Sequence, residues 1–468
     1  MTTRPARRSP RPGAARPTAH EEVVLDVGAP AHGGHCVART TDDPSGRVIF
    51  VRHALPGERV RAVLTQKTAK IWRADAVEVI SASPDRVEPA WPQAGAGGVG
   101  GGELSHVALA AQRTWKRWVL ADCLRRIGGE DVARAVTEAA GGTAVSVEPL
   151  PSEARAEASP DARTRALAGT GTRTRLALTA DERGRFGMHA FRSSTVLDPG
   201  RLPLAVAAIR DLGLTERALW RRHARPGSRL EAVAPSAGEP LVLIDGQVLT
   251  AEGRATSRRR VDEVVDASGL GMGELRYSVH ADGFWQVHED APAALVDAVV
   301  RAVVTGSPSG GGSSPAAGRA AGTSVLELYS GAGLLTLPLA VAGARVVSLE
   351  GSAQAVGDAR RTLHGHDAVS LRTGRVSARA VDELGRLDSA APDVVVLDPP
   401  RQGAGREVID AIAALGPRRV VLVACDPAAL ARDLGSLLRS GYTVGGVRAL
   451  DMFPHTHHFE TVAVLDRS

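Results

Sequence analysis

Cys425 closes the apolar run RRVVLVA and is followed by Asp426-Pro427 and the helical pattern AALARDLGSLLR. A thiol at that point lies at a strand's carboxyl end, just ahead of a helix N-terminus. The positive end of the helix is expected to lower its pKa below the ~8.5 of a free cysteine and to favour nucleophilic attack. Cys36 and Cys123 lack that context and read as small buried hydrophobes. The run DVVVL delivers Asp398 into Asp398-Pro399-Pro400-Arg401, where two prolines hold the turn extended and Arg401 suits a phosphate or other polar substrate. Glu460 opens the apolar TVAVL strand and is a candidate general base beside the nucleophile. His455, His457 and His458 precede it, but no cysteine or acid spacing completes a tetrahedral set around them, so no metal is expected.

A second group of residues reads as a small-molecule site. Val325 to Tyr329 has a buried-strand pattern that runs into Ser330-Gly331-Ala332-Gly333 and then the helical LLTLPLAVAG. Strand, glycine turn and helix together bring backbone amides close to a ligand. A dinucleotide fingerprint wants a third glycine where Thr336 stands, which disfavours hydride chemistry. The next strand, RVVSLE, ends at Glu350, whose carboxylate can accept from both ribose hydroxyls of an adenosine. The arrangement resembles the first two motifs of class I S-adenosylmethionine-dependent methyltransferases.

The elements that must carry these residues follow from the pattern along 468 residues, about three domains at ~150 residues each. Hydrophobic residues make up 43% and charged residues 23%, the balance of a water-soluble globular chain. No apolar run reaches the ~20 residues of a membrane helix. Net charge is +5, from 57 basic and 52 acidic residues, and only Lys67, Lys70 and Lys116 are lysines. Residues 1–19 form a basic, proline-rich tail, expected to be disordered and to lack a secretory h-region. Residues 20–82 read as short strands forming a small β-barrel. Between Arg47 and Arg73 seven bases (Arg47, Arg52, Arg59, Arg61, Lys67, Lys70, Arg73) face one acid, Glu58, with Phe50 and Trp72 among them. That mixture suits single-stranded RNA, with guanidinium groups on phosphates and rings on bases, although a solvated face with two core aromatics fits as well. Residues 83–277 form a mixed, β-rich central region that includes a helix over 104–127 expected to pack on the last domain. Residues 278–468 alternate strand and helix, which implies a doubly wound, mostly parallel sheet. Within them 305–323, rich in Gly, Ser, Pro and Ala, reads as a flexible surface insertion. Three scattered cysteines fit a reducing, cytoplasmic compartment.

The segments YSGAG, LDPPRQG, VACDPAALARDL and DMFPHTHHFE occur in one order and spacing. In these the chain resembles the TRAM-domain RNA uracil-5 methyltransferases, which make 5-methyluridine in transfer or ribosomal RNA. GRVIFVRHALPGERVRAVL looks like a TRAM module of the oligonucleotide-binding type, and Phe284-Trp285-Gln286-Val287 is similar to the family's aromatic pair followed by a donor-binding glutamine. The resemblance implies an α/β fold: an N-terminal OB-type barrel, the β-rich central domain and a C-terminal Rossmann-like methyltransferase domain. It implies that Gln286, Tyr329, Glu350 and Asp398 hold S-adenosylmethionine, that Cys425 adds to carbon 6 of uracil and that Glu460 removes the carbon 5 proton. Structured RNA is the implied partner, with no membrane association and a monomer as the expected state.

The sequence departs from the family at several points. Many members hold an iron-sulfur cluster through four cysteines, and Trp91, Val99, Gly102 and Leu202 stand at those positions, so no cluster is expected. Leu334 replaces a frequent Asn in the first motif. Ala424 and Asp426 flank Cys425 where Ser and Asn are usual, and a carboxylate at 426 would oppose a thiolate unless it points away. Two other readings remain: methylation of another nucleobase, and a noncatalytic RNA-binding protein on a methyltransferase fold. Cytosine-modifying relatives that act on RNA usually set a cysteine beside the proline of the third motif, and Asp398-Pro399-Pro400-Arg401 has none.

Overall fold

A computed structural model describes residues 21–467, apart from 43–45, 310–315, 317 and 387–390. The basic tail and part of the proposed insertion lie outside the described residues. The chain divides into two compact units, residues 1–86 and 87–468.

The first unit is a closed barrel of β1 (Glu22–Ala31), β2 (His35–Thr40), β3 (Ile49–Arg52), β4 (Arg59–Lys67) and β5 (Trp72–Ser81), in the order β1-β2-β3-β5-β4. Alternation decides which residues face inward: in β4, Val60, Ala62 and Leu64 are buried while Arg59 faces out and Arg61 is half-buried. The seven bases are not one phosphate-gripping face. Arg52 is buried and donates to both carboxylate oxygens of Asp75 at 2.9 and 3.1 Å. Arg61 pairs with Glu78 and Lys67 with Glu21. The Lys67 ammonium and the Arg47 guanidinium lie 4.4 and 5.1 Å from the centre of the Trp72 ring. The indole expected to meet a base is thus engaged by two cations of the barrel itself.

The second unit holds three sheets. Strand β6 (Val147–Glu148) precedes an antiparallel sheet of β7 (Arg175–Ala180), β8 (Phe186–His189), β9 (Val196–Leu197), β10 (Arg229–Val233), β11 (Leu241–Ile244) and β12 (Gln247–Leu249), in the order β12-β11-β10-β7-β8-β9. Strands β13 (Arg260–Asp266) and β14 (Glu274–His280) form a hairpin. The largest sheet adds β15 (Ser324–Leu328), β16 (Arg345–Glu350), β17 (Val369–Thr373), β18 (Val394–Leu397), β19 (Arg419–Ala424), β20 (Tyr442–Leu450) and β21 (Glu460–Arg467), in the order β17-β16-β15-β18-β19-β21-β20-β6. The five strands β15 to β19 are parallel; the interiors of β15, β18 and β19 are buried, as expected where helices cover both faces, whereas β17 at the sheet edge is half-buried to exposed. Strand β21 enters between β19 and β20 antiparallel to both.

Two features depart from the expected boundaries. Strand β6 pairs in parallel with β20, so a piece of the region before residue 277 completes the C-terminal sheet. Of the expected flexible insertion, Ala316 and Ala320 are buried in the core, the Ala316 N–H donating to the Leu270 carbonyl at 2.8 Å and the Ala320 N–H to the Ala342 carbonyl at 2.9 Å. Small side chains that look like linker material here pack closely against backbone.

Replacing Arg52 by Ala strands a buried carboxylate on Asp75. The barrel is expected to lose about 3 kcal/mol, read as a lower urea midpoint, because breaking a buried pair costs far more than losing a surface one.

Candidate active site

The order of the large sheet reverses between β15 and β18, and the crevice at their carboxyl ends collects the glycine turn, Glu350 and Asp398. Tyr329 leaves β15 with φ at +63°, an uncommon conformation for an aromatic residue, held by its N–H donating to the Leu349 carbonyl at 2.8 Å. Gly331 follows at φ +54°, and a Cβ on it would meet no atom within 4 Å, so the turn has open space beside its backbone. Glu350 organises this turn: its Oε2 accepts from the Gly331 N–H at 3.0 Å and its Oε1 from the Ser352 N–H at 2.7 Å. Each oxygen keeps a further lone pair for a ligand hydroxyl.

Thr336, at the place of the missing glycine, is buried and donates to Glu327 Oε2 at 2.6 Å. Burial, with the nearby charges of Asp398 and Glu350, pushes Glu327 up to about 8. Leu334, in place of an asparagine, packs against the core, and its carbonyl accepts from the Tyr277 hydroxyl at 2.9 Å. The Tyr277 ring lies 5.1 Å from that of Trp285, which ties the segment bearing Gln286 to the glycine turn. Gln286 is buried, whereas Phe284 is 76% exposed, so the aromatic pair is split between core and surface.

The nucleophile and base candidates meet through strand register. Ala424 of β19 lies opposite Thr461 of β21, and the Thr461 hydroxyl donates to the Ala424 carbonyl at 2.8 Å. One step further along an antiparallel pair sets Cys425 against Glu460. Cys425 is half-buried. Glu460 is buried, and its Oε1 finds no hydrogen-bond partner. Burial raises Glu460 well above its ordinary value, Asp398 adds to the rise and Arg401 opposes it. Burial likewise pushes Asp398 up to about 7.

The expected activation of Cys425 by the following helix does not hold in the free protein. Burial, then the charges of Glu460 and Asp398, push the thiol up to about 12, with Arg401 opposing. Asp426 caps helix Pro427–Arg439, its Oδ1 accepting from the Ala429 N–H at 2.8 Å. Its carboxylate is engaged by the helix end, and the helix charge that would have favoured a thiolate is met by that cap.

Glu460 is delivered by the loop Asp451–Phe459, which is held by residues from a distant stretch of chain. Buried Lys116, in helix Leu109–Cys123, donates to Asp451 and to the Phe453 carbonyl, the latter at 3.1 Å. Gln112 Oε1 accepts from the His455 N–H at 2.7 Å, and the Leu104 N–H donates to the His455 carbonyl at 2.9 Å. Glu103 accepts from the N–H of His457 at 3.0 Å and bonds its ring. Burial pushes His455 down to about 4 and His458 down to about 3, so both are neutral imidazoles. Among the described residues no group of histidines, cysteines and acids is arranged to hold a metal ion. The sequence reading missed Glu103, Gln112 and Lys116. The available signal was a lysine, one of three in the chain, on the apolar helix face WKRWVL.

The positions aligned with the family's cluster cysteines do not fit an iron-sulfur cluster. Trp91, Val99 and Leu202 lie in one apolar core, and the Trp91 indole donates to the Pro199 carbonyl at 2.7 Å. A Cβ on Gly102 would come within 2.8 Å of the Trp91 ring. None of the four side chains offers a cluster ligand, and the indole occupies the space between them.

Fold and site together define an S-adenosylmethionine-dependent methyltransferase carrying an N-terminal TRAM barrel. Residues 316–468 match the family described as tRNA (Uracil-5-)-methyltransferase, and residues 20–77 match the TRAM domain. A relative from Streptomyces avermitilis, named as an uncharacterized RNA methyltransferase, is 36% identical over 95% of this chain and 98% of its own length. One from Alkalilimnicola ehrlichii, named 23S rRNA (uracil(1939)-C(5))-methyltransferase, is 31% identical over 96% of this chain and 97% of its own. The fold is that of the Pyrococcus abyssi tRNA (uracil-54, C5)-methyltransferase solved with S-adenosyl-L-homocysteine, at TM-score 0.62, 20% identity and coverage of 94% and 100%. The chain belongs to the RNA uracil-5 methyltransferase family.

Two outcomes follow from the electrostatics and the loop. Because the thiolate fraction grows with pH until the pKa is passed, alkylation of Cys425 in the free protein, followed by mass spectrometry, should rise about tenfold per pH unit from 7 to 10. A plateau by pH 8.5 would contradict the raised pKa. Lys116→Met should leave Asp451 buried and unpaired, lowering stability by about 3 to 5 kcal/mol in chemical denaturation.

Proposed function

We propose that the protein transfers a methyl group from S-adenosylmethionine to carbon 5 of a uridine in structured RNA, through a covalent Cys425 adduct and proton removal by Glu460, in the cytoplasm. The observation that carries this reading is the register opposing Cys425 to a buried Glu460 whose Oε1 has no partner, at the sheet edge that also holds Asp398. Between ribosomal and transfer RNA, the 31% identity to a relative named for 23S rRNA favours a ribosomal uridine.

Carbon 5 of uracil is a weak nucleophile. Addition of the Cys425 sulfur to carbon 6 moves the ring's double-bond electrons through carbon 5 and carbon 4 onto O4, giving an enolate whose carbon 5 can take a methyl group. When bound, S-adenosylmethionine supplies that methyl as an electrophile on a positively charged sulfur. Cys425, Glu460 and Asp398 are all held above their ordinary ranges in the free protein, and each ionises more readily beside a cation. Both Cys425 and Glu460 therefore favour their protonated forms until the donor's positive charge is in place, and their protons then pass to water, which leaves Glu460 free to act on carbon 5. Glu460, once ionised, is a strong base in a dry site. It takes the carbon 5 proton, the C–H electrons rebuild the C5–C6 double bond, and the Cys425 sulfur leaves as thiolate. Gln286, Tyr329, Glu350 and Asp398 would hold the donor, with the free lone pairs of Glu350 suited to its ribose hydroxyls. A paired uridine cannot enter such a crevice, so the target is flipped out or lies in an opened loop.

Radiolabelled methyl donor and total RNA from a strain lacking the gene test the reading. Label should appear in 5-methyluridine of ribosomal RNA. Label in methylcytosine, or none, would refute it, and label in transfer RNA alone would overturn the ribosomal assignment. Cys425→Ala should abolish turnover with RNA affinity kept within about twofold, and Glu460→Gln should accumulate a protein–RNA adduct that survives denaturing gels.

A further inference from the structure

Gln286 lies in the segment His280-Ala281-Asp282-Gly283-Phe284-Trp285-Gln286-Val287-His288, which leaves β14 and precedes helix Ala291–Thr305. The segment begins and ends with a histidine, and each ring bonds a carboxylate from another element at 2.7 Å. At the first end, His280 Nδ1 pairs with Asp358 Oδ1 and the His280 N–H donates to Asp358 Oδ2 at 2.9 Å. Asp358 belongs to helix Ala353–Thr362, which starts just after Glu350. At the other end, His288 Nδ1 accepts from the Asp290 N–H at 3.1 Å, leaving Nε2 to donate to Glu153 Oε1 at 2.7 Å. Glu153 sits in helix Pro151–Glu157, more than a hundred residues away in sequence, and the two side chains are nearly free of solvent, with Glu153 1% and His288 2% exposed.

Between the two pairs the backbone is held by Arg175, which donates to the Ala281 and Gly283 carbonyls at 3.2 and 2.9 Å, and by the Thr174 hydroxyl, which donates to the Val287 carbonyl at 2.9 Å. Its buried polar groups would be costly without partners, and each end is paired with a carboxylate from another element. The other oxygen of Glu153 has no hydrogen-bond partner, so its grip on the segment runs through the single bond to His288.

We infer that Glu153 and Asp358 are positioning residues for the methyl donor: the Glu153–His288 and Asp358–His280 pairs fix both ends of the segment and thereby the place at which Gln286 meets the donor. The inference rests on the reading that Gln286 contacts S-adenosylmethionine. One pair draws on the helix after Glu350 and the other on the region ahead of the central sheet, so the donor site is built from three separate stretches of chain. Loss of the Glu153 oxygen strands the buried His288 N–H and frees the end nearer Gln286.

The test is calorimetric titration of the full-length protein with S-adenosyl-L-homocysteine and, separately, with the RNA substrate. Glu153→Ala should raise the S-adenosyl-L-homocysteine Kd about tenfold and leave the RNA Kd within about twofold, while Glu153→Gln, which keeps an acceptor oxygen, should bind nearly as the parent does. In turnover the same change should raise KM for the donor with kcat little altered, a split that general loosening of the fold would not produce. Equal weakening of both ligands, or an unchanged S-adenosyl-L-homocysteine Kd in folded Glu153→Ala protein, overturns the inference. If that variant does not fold, His288→Asn, too short to reach Glu153, is measured in the same way and its unchanged Kd has the same force. Gln286→Ala separates the two layers: parent-like donor affinity there refutes the reading of Gln286, whereas a loss there without one in the Glu153 variants refutes only the positioning role.

Discussion

The chemistry depends on one strand running against its neighbours. Strands β15 to β19 are parallel and deliver their chemistry-bearing residues at their carboxyl ends, as any doubly wound sheet does. Had β21 joined in the same sense, Glu460 would stand at the opposite edge, a strand length from Cys425. Because β21 enters antiparallel between β19 and β20, its first residue comes opposite the residue that follows the last of β19, and the proposed base is set beside the proposed nucleophile. A register slip of one residue would turn Glu460 to the other face of the sheet.

Burial then sets the resting state of that pair. Glu460, Asp398 and Cys425 lie within one another's field, Arg401 opposes the rise at Glu460 and Cys425, and desolvation raises all three and, beside Asp398, Glu327 as well. Such a site favours neutral groups when empty and gains most from a positively charged ligand. The same crowding overrides the helix end behind Cys425, where the Ala429 amide is already met by Asp426.

The supports for the site come from outside the Rossmann-like core. Glu103, Gln112 and Lys116 meet the buried polar groups of the loop that carries Glu460, while Glu153, Thr174 and Arg175 meet those of the segment that carries Gln286. Residues between 103 and 175 therefore serve both halves of the crevice. They do so through buried charged or hydrogen-bonded contacts, which hold geometry more tightly than apolar packing alone. Where relatives carry cluster cysteines, an indole and three apolar or small residues fill the volume, so the central region of this chain is braced by packing.

Amino-acid order alone placed Cys425, Asp398, Glu350 and the Tyr329–Gly333 turn at strand ends, because local alternation and punctuation mark the carboxyl edge of a parallel sheet, and the resemblance of the motifs to one family gave the class; that Glu460 comes to lie across from Cys425 was decided by the antiparallel entry of β21. What the tertiary structure decided was every property that depends on partners far away in sequence. Lys116 and Asp451 are separated by 335 residues, and Gln112 and His455 by 343, so no local pattern could pair them. Arg52 reads as a surface cation and is instead a buried partner of Asp75, and Ala316 and Ala320 read as linker and lie in the core. The ionisation of Cys425 shows the same division, because a helix end is visible in a sequence but the desolvation and neighbouring carboxylates that outweigh it exist only once the chain has folded.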